Sequence, residues 1–244
     1  MQDDITAKKK THDTILSAAQ AGHASIPENR FPLVCKPREI EPWRIFKIMS
    51  EFVEGFEMLK KYTLAATFFG TNRYSFESRF YEDATDLAGR LAKLGFAVIT
   101  GGSKGVMESA NKGAFEAGGA SVGLNIHLQS EQSFNSYLTD SLMFDHFFSR
   151  KTMLAFASEV YIYFPGGFGT LDEFFEIVTL IQTKKIKRVP IVCYGREYWG
   201  ELDAFIRKKL LEEHKAIDAD DMDIYHIVDS VDEAYDYIVA NTTC

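Results

Sequence analysis

Short apolar runs alternate with amphipathic stretches along most of the chain. The predicted strands are Thr63–Phe69, Phe96–Thr100, Ala120–Ile126, Val160–Phe164, Val189–Tyr194 and a last short strand, Ile224–Val228. The predicted helices are Trp43–Lys60, Phe80–Leu94, Val106–Ala117, Arg150–Ser158, one opening at Thr170, Tyr198–Glu213, and one after the capping-box sequence Ser230–Glu233. Strands joined through helices of about 10 to 15 residues form right-handed crossovers between parallel neighbours. The alternation therefore predicts an α/β, Rossmann-like fold with a doubly wound, mainly parallel sheet and helices on both faces.

The composition changes near residue 42. Residues 1–42 hold four of the six prolines and the basic run Lys8–Lys10. This composition predicts an N-terminal extension that wraps the domain or stays partly mobile. Residues 43–244 are numerous enough to bury a core and are predicted to form a single domain.

Net charge indicates which partners are expected, and cysteine content indicates the cellular compartment. The net charge is −8 and no basic cluster covers a face, so nucleic acid and anionic membranes are not expected partners. No apolar run approaches the length of a membrane span, and the N-terminus has no apolar signal region. Cys35, Cys193 and Cys244 are few, odd in number and without metal-ligand spacing, which favours a reducing compartment. A cytoplasmic protein without a metal site is expected.

The most informative loop follows the apolar strand Val160–Phe164. Pro165 ends that strand, and the glycines of Pro165-Gly-Gly-Phe-Gly-Thr allow a ligand to approach the bare backbone. Thr170 is then predicted to cap a helix. Because the first backbone N–H groups of a helix lack internal partners and carry the positive end of its dipole, this loop predicts a phosphate site.

Glu173 has two possible roles. Thr170-Leu-Asp-Glu173 fits a capping box, in which Glu173 only accepts a hydrogen bond from the Thr170 N–H. Against that reading, Asp172 and Glu176 lie beside it, and a single acid would suffice for a cap. The residues alone leave both roles open.

Two further stretches are candidates for ligand contacts. Gly101-Gly-Ser-Lys-Gly105 follows a predicted strand, but its glycine spacing and the lack of a following acid do not match a dinucleotide fingerprint, and the chain has no P-loop. No cofactor is therefore predicted. Ser149 is predicted to cap a helix with Arg150 and Lys151 in its first turn, where the dipole disfavours cations. Either a bound anion offsets this charge, or both side chains reach solvent or pair with acids such as Asp145.

Four motifs occur in an order that identifies a family. They are Thr100-Gly-Gly-Ser-Lys-Gly-Val-Met-Glu108, Asn111-Lys-Gly-Ala114, Ser149-Arg-Lys151 and Pro165-Gly-Gly-Phe-Gly-Thr-Leu-Asp-Glu173. Together they resemble the LONELY GUY family of phosphoribohydrolases, whose hallmark is P-G-G-x-G-T-x-x-E. The resemblance runs from about Thr63 to Trp199, with Ser103 in place of the third glycine of many members. Many members are labelled lysine decarboxylases, but nothing in the sequence resembles a pyridoxal-phosphate lysine site.

The resemblance implies an activity and a set of residues. Members cleave the N-glycosidic bond of a cytokinin riboside 5′-monophosphate or of AMP, so residues 43–244 are expected to be a nucleotide-binding catalytic domain. The implied catalytic residues are Glu173 and Arg150. The implied substrate-binding residues are Gly166, Gly167, Gly169 and Thr170 at the phosphate, Gly102, Glu108 and Asn111 at the ribose and base, and Arg73 and Lys151. The resemblance also implies a homodimer or larger homo-oligomer, with the apolar helices at residues 43–60 and 198–213 as interface candidates. The alternative is a sensor or carrier that binds a nucleotide without cleaving it.

Overall fold

The computed structural model describes residues 41–73, 78–128 and 134–242. Its strands are β1 Ala65–Phe69, β2 Ala97–Thr100, β3 Ser121–Ile126, β4 Asp140–Phe144, β5 Val160–Tyr163, β6 Ile191–Tyr194 and β7 His226–Val228. Its α-helices are α1 Arg44–Leu59, α2 Arg79–Lys93, α3 Val106–Glu116, α4 Phe147–Phe156, α5 Phe168–Gln182, α6 Arg196–Phe205 and α7 Val231–Asn241. A π-helix, Ile206–Glu213, continues α6, and a 3₁₀ helix, Ala219–Asp223, precedes β7. The predicted extension over residues 1–42 lies outside the described residues, apart from its last two.

All seven strands are parallel and follow the order β4-β3-β2-β1-β5-β6-β7. The chain builds outward from β1 in one direction through β4, then returns to the other side of β1 with β5. The carboxyl ends of β1 and β5 therefore flank a topological switch point, where ligands bind in open α/β sheets. The predicted parallel, doubly wound α/β fold is confirmed.

Successive strand residues supply the two faces of the sheet. In β1, Ala65 and Phe69 pack with α1, α4, α5 and α6, whereas Ala66 and Phe68 pack with α2, α3 and α7. Because every residue of β1 is buried, neither side of the strand faces solvent. This burial explains the continuous apolar runs in the sequence and fixes the loops at the carboxyl edge.

The edge strand β4 and the helix α6 differ from the predictions. The edge strand β4 has no counterpart among the predicted strands, since four of its five residues are only partly buried or exposed and its pattern is mixed. The predicted helix Tyr198–Glu213 starts earlier and changes to π geometry at Ile206. Within the described ranges, no helix has the length and apolar character needed to cross a membrane.

Candidate active site

A cleft of about 750 Å³ opens at the switch point between β1 and β5. Its walls come from five places in the chain: the loop after β1, the loop after β2 with the start of α3, the first residues of α4, the loop from β5 into α5, and Tyr198 on α6. Thr71 N donates to the Pro165 carbonyl over 3.1 Å and so joins the loops that follow β1 and β5. The parallel sheet thus brings together segments that lie about a hundred residues apart.

The glycine-rich loop enters α5 earlier than predicted. The helix begins at Phe168 with Gly167 as its N-cap, so the prediction that Thr170 is the cap is wrong. Thr170 is instead a buried residue of the first turn, and a Cβ on Gly166 would lie 2.6 Å from the Thr170 Cβ. Tyr198 Oη donates to the Gly166 carbonyl over 2.8 Å. These contacts hold the loop before any ligand binds.

Gly167 and Gly169 have no such packing requirement. A Cβ built on either would meet nothing within 4 Å, and neither residue has positive φ. Both border the cleft beside the first turn of α5, where, among the described residues, no side chain caps the helix and no acid lies in the first turn. The open backbone and the positive dipole end form a surface suited to a phosphate.

Glu173 borders the cleft and does not form a capping box. The Thr170 N–H donates to the Gly167 carbonyl at 3.0 Å rather than to Glu173. Glu173 is 8% exposed, and its Oε2 is closed to solvent and has no hydrogen-bond partner within the described chain. Burial, together with Glu176 and Asp172, raises the pKa of Glu173 to about 8, although Lys151 and Arg150 act in the opposite direction. A buried acid with a strongly raised pKa is typical of functional sites.

Lys151 lies between the acids of α5. Its Nζ is 2.7 Å from Asp172 Oδ2 and 3.3 Å from Glu176 Oε2. Burial lowers the pKa of Lys151, but Asp172, Glu173 and Glu176 outweigh that effect, so the pKa is raised overall. Lys151 is therefore a cation that partly neutralises the acids around Glu173.

Arg150 borders the cleft and is held there by a backbone hydrogen bond. Its Nε donates to the Leu124 carbonyl over 2.9 Å, and a side chain on Gly101 would collide with the guanidinium. Burial lowers the pKa of Arg150, whereas Glu173 acts to raise it. Gly101 thus leaves room for a partly buried cation in the wall of the cleft that Glu173 also borders.

The helix that carries Arg150 also begins earlier than predicted. α4 starts at Phe147 with His146 as its N-cap, so the prediction that Ser149 caps it is wrong. Ser149 is fully buried in the first turn and donates to the His146 carbonyl and to the carboxylate of Glu51 on α1. The anion beside this positively charged turn is thus an acid of the same chain.

The structure places eight of the eleven predicted site residues in the cleft wall. They are Arg73, Arg150, Lys151, Gly166, Gly167, Gly169, Thr170 and Glu173. Gly102, Glu108 and Asn111 do not line it. Asn111 is fully buried and accepts from Thr100 Oγ1 over 2.6 Å, and Thr100 Oγ1 in turn accepts from Gly102 N over 2.9 Å. Asn111 therefore supports the loop after β2 from behind.

The cleft wall also contains residues outside the predicted site, among them the aromatic residues Phe147, Phe168 and Tyr198. Phe168 is 94% exposed and Phe147 is 57% exposed. An aromatic residue between two glycines of a ligand loop has no core to enter, and that position was a signal for Phe168. Nothing in the local sequence marks Tyr198, whose partner lies 32 residues away.

Known proteins resemble the chain in sequence and in fold. The sequence profile of a family described as "Possible lysine decarboxylase" matches residues 107–238. A cytokinin riboside 5′-monophosphate phosphoribohydrolase from Rhodococcoides fascians is 24% identical over 138 residues, which cover 55% of this chain and 70% of that protein.

Two solved structures share the fold at low sequence identity. A structural-genomics target solved by X-ray crystallography is 23% identical, with a TM-score of 0.53 over 73% of this chain and 99% of that chain. A molybdenum cofactor carrier protein from Chlamydomonas reinhardtii is 21% identical, with a TM-score of 0.56 over 72% of this chain and 96% of that chain.

Proposed function

Because this chain belongs to the LONELY GUY family, whose profile bears the description of a possible lysine decarboxylase, we propose that it is a phosphoribohydrolase. It cleaves the N-glycosidic bond of a purine nucleoside 5′-monophosphate, such as AMP or a cytokinin riboside 5′-monophosphate, to the free base and ribose 5-phosphate. The observation that carries the proposal is the buried carboxyl group of Glu173, which has no hydrogen-bond partner among the described residues and borders the cleft.

The phosphate end of the substrate binds at the start of α5. Gly167 and Gly169 leave their backbone open, and Thr170 borders the same space. Backbone N–H groups at a helix N-terminus bind phosphate without a cationic side chain. This mode of binding suits a protein of net charge −8, whose overall field repels an anion.

Glu173 and Arg150 act at the glycosidic bond. As the bond between C1′ and the base nitrogen breaks, the base leaves with the electron pair and positive charge develops on the ribose. A carboxylate stabilises that charge and accepts a proton from the attacking water, whose oxygen bonds to C1′, and this proton then passes to the departing base nitrogen. The raised pKa of Glu173 makes its ionised form a stronger base than a surface carboxylate. Arg150, which borders the same cleft, donates hydrogen bonds to the substrate.

The base is held at the mouth of the cleft. Phe168 and Phe147 expose their rings there. Stacking on a planar base gives such exposed rings a partner, which favours a purine over a small aliphatic substrate. Lys151 is a paired ammonium group and does not suit the Schiff-base chemistry that a decarboxylase of amino acids uses.

Binding without turnover is the competing function, since a solved structure with this fold is a cofactor carrier protein. A carrier needs the open glycines but gains nothing from a buried, unpartnered acid, which costs stability. Purified protein is incubated with AMP, isopentenyladenosine 5′-monophosphate, GMP and CMP, and ribose 5-phosphate is measured by chromatography. We expect free base and ribose 5-phosphate from at least one purine monophosphate, and no free adenine from adenosine, which lacks the phosphate. Recovery of every nucleotide unchanged would contradict the proposal.

A further inference from the structure

A buried acid on α1, outside the cleft, contacts the helix that carries Arg150. Glu51 is 6% exposed and is not among the cleft-lining residues. Its Oε1 accepts hydrogen bonds from the Asp145 backbone N–H and from His146 Nδ1, each over 3.0 Å. Its Oε2 accepts one from the Ser149 hydroxyl. These three donors lie at and just before the first turn of α4.

His146 links Glu51 to Arg44, a cation on the same helix. Arg44 Nε donates to His146 Nε2 over 3.1 Å. Because a guanidinium N–H can only donate, Nε2 must carry the lone pair and Nδ1 the proton that faces Glu51. The ring is therefore the neutral Nδ1–H tautomer, and Arg44, His146 and Glu51 form one continuous chain of hydrogen bonds.

The charge of Glu51 complements that of α4. The first turn of this helix contains Arg150 and, among the described residues, no acid of its own. Burial raises the pKa of Glu51, but the hydrogen bonds from Ser149, the Asp145 amide and His146 outweigh burial, so the pKa is lowered overall. A carboxylate at a helix N-terminus satisfies free donors and opposes the positive dipole end.

We propose that Glu51 is a positioning residue for Arg150. It fixes the first turn of α4 through Ser149 and His146, so that the guanidinium stays bonded to the Leu124 carbonyl beside Gly101. The effect on turnover rests on the phosphoribohydrolase activity proposed above. The effect on the placement of Arg150 does not.

The placement is tested by hydrogen exchange of the Arg150 Nε–H, observed by ¹H–¹⁵N NMR in the unaltered protein and in Glu51→Gln. We expect exchange at least about tenfold faster in the variant, because the hydrogen bond to Leu124 opens more often. Backbone amides of β3 serve as the internal control for global unfolding, and Glu54→Gln, an exposed acid one turn further along α1, is the matched control variant. Equal exchange in Glu51→Gln and the unaltered protein would overturn the proposal whether or not the protein hydrolyses a nucleotide.

Turnover is tested by a double-mutant cycle with Arg150→Ala. Glu51→Gln is expected to lower kcat about tenfold with less than a twofold change in KM, and to lower it less than twofold when Arg150 is already alanine. An equal loss in both backgrounds would mean that Glu51 only stabilises the fold, and the proposal would be wrong. If Glu51→Gln folds poorly, Ser149→Ala serves instead, because it removes one of the three hydrogen bonds to Glu51. Ser149→Ala is then expected to lower kcat about threefold in the protein with Arg150 and to leave it unchanged in Arg150→Ala.

Discussion

At the scale of single residues, the buried carboxyl group of Glu173 lowers the stability of the folded protein. Burial without a hydrogen-bond partner raises its pKa from 4.5 to about 8. In the unfolded chain the pKa of Glu173 lies near its ordinary value of 4.5. As the pH rises, the unfolded state therefore releases this proton at a lower pH than the folded state does. A carboxyl group whose pKa is higher in the folded state therefore reduces stability progressively between about pH 4.5 and pH 8. A function at the cleft explains why the acid is there.

Replacing this acid should consequently stabilise the protein. We expect Glu173→Gln to raise the free energy of unfolding by on the order of 2 kcal/mol at pH 8, with little change near pH 4.5, because only the ionised acid is unfavourable. Urea unfolding of both proteins at the two pH values measures the difference. Glu54→Gln, at an exposed acid of α1 that is not among the charges acting on Glu173, is the control and should give no such gain. A gain for Glu173→Gln that does not grow with pH would contradict this account.

The sequence predicted which residues border the cleft better than it predicted the contacts that those residues make. Glu173 and Arg150 were predicted from motifs, and both lie in the cleft wall. The capping roles of Thr170 and Ser149 were predicted wrongly, because both helices begin two residues or more before the polar residue that resembled a cap. Glu51 could not be found, since its partners lie 94 to 98 residues further along the chain.

At the scale of elements, the start of α5 combines two kinds of glycine. Gly166 is required by packing, because a side chain there would overlap Thr170. Gly167 and Gly169 have open space around them and φ values that other residues adopt. The fold alone does not explain why they are glycines, whereas a phosphate resting on the backbone does.

Alanine substitutions separate these two kinds. Gly169→Ala is expected to leave the fold intact, with a gain of about 0.5 kcal/mol from helix propensity, but to raise KM at least about tenfold by obstructing the phosphate. Gly166→Ala is expected to destabilise the protein by about 1 to 3 kcal/mol through overpacking. Thermal melts and steady-state kinetics on both variants measure the contrast. An unchanged KM in Gly169→Ala would place the phosphate elsewhere.

The elements themselves were largely predictable from apolar periodicity. Five of the six predicted strands are buried on both faces, and for that reason they read as continuous apolar runs, whereas the last, β7, is an edge strand with an exposed His226. In α1, burial does not follow the apolar residues throughout. Ile45, Met49 and Phe56 are exposed, whereas the acid Glu51 and the glycine Gly55 are buried. Tertiary packing on α4 overrides the periodicity here, since a Cβ on Gly55 would clash with Met153.

At the scale of the whole molecule, α1 leaves a large apolar surface uncovered within the described chain. The exposed side chains are Trp43, Ile45, Phe46, Met49, Val53 and Phe56, with Phe156 of α4 beside them. Contiguous apolar patches of this kind mark interaction sites. The surface fits the homo-oligomer that the family resemblance implies.

A charge placed in this surface should weaken the assembly. We expect the unaltered protein to sediment as a dimer or larger species and Val53→Glu, which buries a charge in the interface, to shift it toward the monomer. Val239→Glu, on an exposed valine of α7, is the matched control and should sediment like the unaltered protein. A monomer for the unaltered chain at every concentration tested would contradict the prediction.

The proposed reaction is cleavage of a glycosidic bond in this cleft with the help of Glu173, and a single-turnover experiment with protein in excess over AMP tests it. We expect equimolar adenine and ribose 5-phosphate from the unaltered protein. For Glu173→Gln we expect a rate lower by a factor of about 10² to 10⁴, with AMP still bound. Intact AMP recovered from the unaltered protein, or equal rates for the two proteins, would contradict it.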